Sequence, residues 1–104
     1  MSNDQVEKSG YYYPNLIARI YLESVEEVMG GNGMKALLNM ANMQELIDNY
    51  PPKNLSKEFD FADFAHLNES MEVMYGPRGG RALSLRAGRK AFDQGLRNFG
   101  AMVC

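Results

Sequence analysis

The sequence predicts an all-α fold of four or five amphipathic helices, and three observations favour this class. Apolar residues recur along most of the chain with the period of about 3.6 residues that is typical of helices. Glycine or proline clusters interrupt this period at residues 30–33, 51–52 and 76–77, where they favour turns and helix ends. No segment shows a persuasive two-residue alternation of apolar and polar side chains. We therefore expect helices joined by short connections, without a sheet.

Length and composition predict one small domain. The 104 residues are 45% hydrophobic and include 5 Phe, 6 Tyr and 8 Met, which is too apolar for a disordered segment. A chain of this size is one domain at most, and folding buries about 60–68% of its unfolded surface. We expect residues 1–10 to form a flexible N-terminal arm and residues 11–104 to form the helical module, which is either a whole domain or an incomplete one.

The first helix is predicted to begin at Pro14, because the fixed φ of proline suits the first helical turn. It continues to about Met29, with apolar residues from Ile17 onward on one arc and acidic residues opposite, as in an amphipathic surface helix. Tyr21 belongs to the apolar arc. The glycine-rich turn at residues 30–33 ends this helix, and the apolar arc needs a partner to cover it.

Two short helices are predicted next, over residues 33–41 and 43–50, and the proline pair at residues 51–52 begins a loop that extends to residue 58. Another helix then begins at about Phe61. Asp60 is its predicted N-cap, and Phe59 is expected to pack on Phe64 as a hydrophobic staple. Gly76-Pro77 is its predicted stop.

The last helix, over residues 76–100, carries one apolar stripe. On a helical wheel at about 100° per residue, four large side chains fall within roughly 60° of one another: Leu85, Phe92, Leu96 and Phe99. Gly88 and Gly95 lie on the shoulder of the stripe, although each glycine costs roughly 1 kcal/mol of helix stability relative to alanine. Their missing side chains would let a second backbone or a flat ligand come close. We expect the stripe to be the packing side of this helix.

The charges are divided unevenly along the chain. Residues 1–76 contain five basic and twelve acidic residues, whereas residues 77–104 contain six basic residues and only Asp93. This asymmetry indicates either an anionic partner for the basic end or acidic helices that pack beside the basic helix. The single RGG-like copy at residues 78–81 is a weak signal and the pI is about 5.3, so we expect no nucleic-acid partner.

Few residues are available for catalysis or metal binding. Cys104 and His66 are the only cysteine and histidine, and together they cannot supply the four ligands of a structural zinc. His66 lies off the apolar face of its helix and is expected to face solvent. Gly31, Gly33 and Ala36 fit the pattern G-x-G-x-x-A, but a helix instead of a strand leads into it, so dinucleotide binding is not expected. We therefore expect no catalytic residues, no metal, no cofactor and no enzymatic activity.

The N-terminal residues lack the basic, apolar and cleavage regions of a signal peptide, and no run approaches 18 apolar residues. On this basis the expected location is the cytoplasm, with no transmembrane segment.

Four stretches carry a resemblance to a known family: YYPNLIARIYLESVEEVMG at 12–30, LIDNYPP at 46–52, EFDFADF at 58–64 and MYGPRGGRALSLRAGR at 74–89. They are similar to the N-terminal part of bacterial proteins of the 4-vinyl reductase, or hydrocarbon-binding, domain family, over about residues 11–102. The resemblance implies the helical half of a mixed α/β module, in which helices cover a small sheet and enclose an apolar pocket. The family name is no evidence of reductase activity.

The chain departs from that family because the later half, with its strands and a Cys/His-containing segment, is absent. Either the chain is a fragment, or it is a shortened relative that completes its core by self-association. No metal-binding residue can be carried over from the family.

The resemblance implies a non-enzymatic module that binds a small hydrophobic molecule, such as a hydrocarbon, an aromatic compound or a tetrapyrrole. The candidate lining residues are Tyr21, Leu37, Met40, Met71, Met74, Leu85, Phe92 and Leu96, with Arg81 or Arg89 placed to meet a polar or carboxylate end. An alternative is a structural or assembly subunit whose helices dock on a larger protein complex. A reductase subunit comes third, because nothing in the sequence positions a cofactor.

We also expect a homodimer. The apolar arc of the first helix and the stripe of the last helix are both wide, and a core this small can hardly cover both. The two copies would pack through the first helix, through the helix at residues 76–100, or through both.

Overall fold

The computed structural model describes the backbone of residues 9–103, together with the side chains of residues 9–95 and of residue 97. Of the expected N-terminal arm, residues 1–8 lie outside this part, as does Cys104. The elements follow in the order β1 (Tyr12–Pro14), α1 (Asn15–Met29), α2 (Gly31–Met40), a 3-10 turn (Gln44–Leu46), β2 (Lys57–Asp60) and α3 (Phe61–Val103).

The mostly helical class is as predicted, but the count of helices and the absence of a sheet are not. Within residues 9–103 there are three α-helices, not four or five, and a two-stranded sheet. Strand β1 pairs antiparallel with β2, so that Tyr12 lies opposite Asp60 and Tyr13 opposite Phe59. The strands have three and four residues, which is too short for an alternation to be visible in the sequence.

The start of α1 is held by the loop that precedes β2. The backbone N–H groups of Asn15 and Leu16 donate to the carbonyl oxygens of Ser56 and Asn54, both at 2.8 Å. The side-chain amide of Asn15 also donates to Oδ1 of Asn54 at 3.0 Å and to Oε1 of Glu58 at 2.6 Å. Pro14 offers no capping side chain, so backbone carbonyls from a distant loop satisfy the free donors of the first turn.

Two glycines turn the chain directly from one helix into the next. Gly30, between α1 and α2, has φ 85° and ψ 162°, and Gly76, inside α3, has φ 82° and ψ 163°. This backbone region is essentially restricted to glycine. The stop predicted at Gly76-Pro77 is therefore present as a sharp kink, which divides α3 into an N-terminal arm (residues 61–75) and a C-terminal arm (residues 77–103).

The two arms of α3 form a helical hairpin. A Cβ atom added at Gly80 would overlap the Cα of Glu72 and would lie 2.6 Å from its backbone nitrogen, so the two backbones touch at this point. One turn further along, the Ser84 hydroxyl donates to Oδ1 of Asn68 at 3.1 Å. These pairs show that the arms run antiparallel and that glycine is needed where they come closest.

The core lies between α1, α2 and both arms of α3. Its buried apolar residues are Ala18, Tyr21, Leu22, Val25, Met34, Leu37, Leu38, Ala41, Met43, Phe59, Leu67, Met71 and Ala87. The apolar arc of α1 is therefore largely covered within one chain. The C-terminal arm contributes a small buried side chain, Ala87, whereas Leu85 and Phe92 of the stripe are 59% and 66% exposed. The expectation that the stripe is the packing side of this helix is thus wrong for these two residues. The other two, Leu96 and Phe99, have side chains outside the described part.

Asp60 is the N-cap of α3, as predicted. Its Oδ1 accepts the Ala62 N–H at 2.7 Å and the Ser9 hydroxyl at 2.9 Å, and both carboxylate oxygens accept the Ser9 N–H. Burial alone would raise the pKa of this carboxyl, but the hydrogen bonds outweigh it and hold the pKa below its ordinary value. The expected staple is also present, since the rings of Phe59 and Phe64 lie 5.4 Å apart.

Gly80→Ala is predicted to lower the free energy of unfolding by about 1–3 kcal/mol, because the added methyl group forces two backbones apart. Gly88→Ala is the matched control on the same arm. Its Cβ would meet no atom within 4 Å, so we expect a gain of about 0.5–1 kcal/mol from helix propensity. Urea unfolding at a low micromolar concentration measures both. Equal effects of the two substitutions would contradict the backbone contact at Gly80.

Asp60→Asn is predicted to reduce the loss of stability in acid. The native pKa of Asp60 is lowered, so its contribution is complete above the unfolded pKa of about 3.9 and disappears as the pH falls through the lower native pKa. The melting temperature between pH 2 and pH 6, compared for the wild type and the variant, tests this. Glu69→Gln, at an exposed carboxylate on the same helix, is the control and should follow the wild-type curve.

Candidate functional site

A groove with an apolar lining, the apolar groove, lies where β1, α1 and the two arms of α3 meet. Its volume is about 570 Å³, and its lining residues are Tyr13, Ile17, Tyr21, Phe64, Gly88, Ala91, Phe92 and Gly95. Three elements contribute to it, α3 with both of its arms, and no lining side chain is charged.

Aromatic rings form one part of the lining. Phe64 is central, with its ring centroid 4.6 Å from those of both Tyr13 and Tyr21. Their planes are tilted by 58° and 52°, which is a favourable geometry for aromatic pairs. The pairing of β1 with β2 brings Tyr13 beside the start of α3, and α1 places Ile17 and Tyr21 one turn apart on the same side.

Small residues of the C-terminal arm form another part of the lining. Gly88, Ala91 and Gly95 follow one another at spacings of three and four residues, so they share one face of the helix. A Cβ atom added at Gly88 or Gly95 would meet no atom within 4 Å. Unlike Gly80, these glycines therefore face open space, and that space belongs to the groove.

A polar network joins α1 to both arms of α3 beside the groove. Oδ1 of Asn68 accepts the Tyr21 hydroxyl at 2.5 Å and the Ser84 hydroxyl at 3.1 Å. Tyr21 comes from α1, and the other two come from opposite arms of α3. Burial raises the pKa of Tyr21 to about 12, so the hydroxyl stays neutral at physiological pH. The network fixes the position of the Tyr21 ring, which lines the groove.

Two more grooves adjoin the C-terminal arm. One, of about 430 Å³, is lined by Ser84, Leu85, Gly88, Arg89, Phe92 and Asp93, and it shares Gly88 and Phe92 with the apolar groove. The other, of about 330 Å³, lies between α1 and the C-terminal arm, where Nζ of Lys90 pairs with Oε1 of Glu27 at 2.8 Å. This pair joins the acidic and basic parts of the chain, as one of the two sequence interpretations expects.

The structure brings only part of the predicted ligand-binding set together. Tyr21 and Phe92 line the apolar groove, while Leu85 and Arg89 line the neighbouring groove. The remaining described residues lie elsewhere: Leu37 and Met71 are fully buried in the core, Met74 packs against it, and Met40 and Arg81 are exposed. The side chain of Leu96 lies outside the described part.

The groove also contains residues that the predicted set omitted: Tyr13, Ile17, Phe64, Gly88, Ala91 and Gly95. Two signals could have found part of this set. Gly88 and Gly95 are costly in a helix interior and lie beside the stripe, which indicates a close neighbour. The sequence indicates that Phe64 is a staple residue, but it does not indicate that Phe64 belongs to a binding site. Tyr13 could not be assigned without the strand pairing that positions it.

His66 is not turned fully to solvent, so the expectation from the sequence is wrong for this residue. It is half-buried, and its Nε2–H donates to the carbonyl oxygen of Ala41 at 3.1 Å, beyond the last residue of α2. Ala41 is the C-cap residue of α2, so His66 serves as a tie between α2 and α3. The prediction from the helical wheel failed because α2 folds back over that side of α3.

Within the described part of the chain, no group of three or more His, Cys, Asp or Glu side chains is arranged to hold a metal ion. A membrane-crossing helix is likewise not found among the described residues, because none is both long and apolar enough.

Comparison of the chain with family models, with curated proteins and with solved structures gives no match. The resemblance to the 4-vinyl reductase, or hydrocarbon-binding, domain family therefore stays a prediction from the sequence.

Removing the shared acceptor of the polar network should destabilise the protein. We predict that Asn68→Ala lowers the free energy of unfolding by about 1–3 kcal/mol, because it leaves the buried Tyr21 hydroxyl without its partner. Tyr21→Phe removes the same bond from the other side. A double-mutant cycle measured by urea unfolding should give a coupling energy of at least about 0.5 kcal/mol. Additive effects would show that the two side chains do not interact.

Proposed function

We propose that this protein is a non-enzymatic module that binds a small hydrophobic molecule in the apolar groove. The single observation that carries the proposal is the groove itself, with its apolar and aromatic lining and the open space above two helical glycines. Its volume of about 570 Å³ falls within the range of about 300–1,000 Å³ that is typical of small-molecule sites.

The lining determines which ligands suit the site. Aromatic rings from Tyr13, Tyr21 and Phe64 offer apolar area at little cost in side-chain entropy, and Gly88 and Gly95 let a flat group approach the helix backbone. Because no lining side chain is charged, the part of the ligand within the groove should be uncharged. This class includes the hydrocarbons, aromatic compounds and tetrapyrroles that the family resemblance implies.

A polar end of a ligand has one nearby partner. Arg89 lines the neighbouring groove, which shares Gly88 and Phe92 with the apolar groove, so a carboxylate that extends past Phe92 comes close to its guanidinium. Arg81 lies two helical turns earlier and lines neither groove. Of the two arginines that the sequence nominated, Arg89 is thus the one that we retain.

Titration with Nile red, an uncharged planar dye, tests the proposal. We expect saturable binding with one site per chain, and competition by uncharged aromatic compounds, fatty acids or a tetrapyrrole. Gly95→Leu places a side chain in the open space of the groove and should weaken binding by about tenfold or more without unfolding the protein. Fluorescence titration gives the affinity, and circular dichroism checks the fold.

Gly31→Leu is the matched control. Gly31 also lies in a helix with open space at its Cβ position, but it is on α2, away from the groove. It should leave dye binding unchanged. If Gly95→Leu and Gly31→Leu have the same effect, or if the wild type shows no saturable binding, the groove is not a ligand site.

A further inference from the structure

The described part of the stripe, Leu85 and Phe92, is an apolar surface that the core of the described fold leaves exposed. Leu85 and Phe92 lie seven residues apart, on the same helix face, and are 59% and 66% exposed. The buried residue Ala87 lies on a different side of the same arm, about 160° from Leu85 at 100° per residue. Two large exposed apolar side chains in one line indicate a surface that is covered by another molecule.

The other face considered for self-association is already occupied. The apolar residues of α1 that lie in the core are buried and pack with α2 and α3 of the same chain, and Leu22 and Val25 among them are each 1% exposed. Of these two helix faces, the one on the C-terminal arm therefore retains large exposed apolar side chains in the described part of the chain.

The charges beside the stripe are arranged in a way that suits a second copy of this chain. Arg89 and Asp93 line one groove together with Leu85 and Phe92. At 100° per residue, both lie on the same flank of the stripe, about 40° and 80° from Leu85. In the part of the chain that the structure describes, neither makes an ion pair, whereas the neighbouring Lys90 is paired with Glu27. The two charges of this flank that lie nearest the stripe are thus one positive and one negative, one helical turn apart, and Arg86 and Arg97 lie farther round the helix, at about 100° and 120° from Leu85.

Such a flank is complementary to itself when the helices are antiparallel. In a two-fold antiparallel pair, this flank of one helix packs against the same flank of the other helix. Because the two chains run in opposite directions, an earlier residue of one copy lies opposite a later residue of the other. Arg89 of each copy then faces Asp93 of the other, and the stripes lie between them. A parallel pair would instead bring this flank against the opposite one, where Gly88 lies.

We propose that the stripe binds a second copy of this chain in an antiparallel two-fold arrangement, with Arg89 of each protomer paired with Asp93 of its partner. This surface is distinct from the proposed ligand function, although Phe92 belongs to both the stripe and the groove. One pair of helices is expected to cover less area than the roughly 1,600 Å² of a standard interface, so the experiments below include the micromolar range.

Sedimentation equilibrium of the full chain, from about 1 to 500 μM, is the first test. The expected result is a monomer–dimer equilibrium. Phe92→Asp should raise the dissociation constant by about tenfold or more, because it places a charge in the apolar contact. Val73→Asp is the control, since Val73 is 74% exposed on the N-terminal arm of α3 (residues 61–75), away from the stripe. It should dimerise like the wild type. A wild type that stays monomeric throughout this range overturns the proposal.

Charge reversal tests the arrangement itself. Arg89→Asp brings two acidic residues together at each end of the contact, and Asp93→Arg brings two basic residues together, so each single variant should weaken the dimer. The double variant, Arg89→Asp with Asp93→Arg, restores the pairing in an antiparallel dimer and should recover the wild-type dissociation constant. Failure of the double variant to recover, while the wild type dimerises, overturns the antiparallel arrangement.

The two proposals can fail independently. Gly95→Leu tests the groove and leaves the Arg89 and Asp93 pairing intact, whereas the charge-reversed variants test the dimer and leave the apolar groove lining unchanged. Dye titration of Asp93→Arg, which changes no residue assigned to ligand binding, should therefore give the wild-type affinity at low micromolar concentration.

Discussion

The backbone contact between the two arms of α3 determines where the other parts of the structure lie. Gly76 reverses the chain, and Gly80 lets the arms touch at Glu72. Because the arms then run antiparallel at a fixed distance, Ser84 meets Asn68, and Gly88 lies near Phe64 along the same groove. A larger residue at the contact would separate the arms and change every later pair, including those that form the groove.

The apolar groove depends on polar interactions that lie outside its lining. Asn68 holds the Tyr21 hydroxyl, and this bond fixes the ring that lines the groove. The bond between Ser9 and Asp60 supports the pairing of β1 with β2, and that pairing fixes Tyr13 beside the start of α3. Buried hydrogen-bonded groups of this kind specify one arrangement, because leaving any of them unpaired costs more than the bond itself contributes. An apolar site of defined shape is thus supported by a polar frame.

Local signals in the sequence predicted the local structure well. The Asp60 cap, the Phe59–Phe64 contact and the break at Gly76 each depend on residues within a few positions, and all three are present. The sheet and most of the groove could not be predicted in the same way, because Tyr13 and Gly88 reach Phe64 only through tertiary packing. The stripe was visible from its period, but the period alone does not show whether a face points inward. The arms of α3 touch at Gly80, which lies about 140° around the helix from Leu85, so the side of the helix that carries Leu85 faces away from the contact.

The hydrogen bond between Ser9 and Asp60 indicates that the small sheet forms late in folding. The helix pairs that meet at Gly30 and Gly76 are joined through single residues, so each can form by local encounter within a short stretch of chain. The bond from Ser9 to Asp60 spans 51 residues and closes a much longer loop, with a correspondingly larger loss of chain entropy. We therefore expect the two glycine-hinged pairs to form early and the small sheet to join them late. In this order of folding, the sheet forms last and joins β1 to the end of the loop before α3, after the helices have packed together.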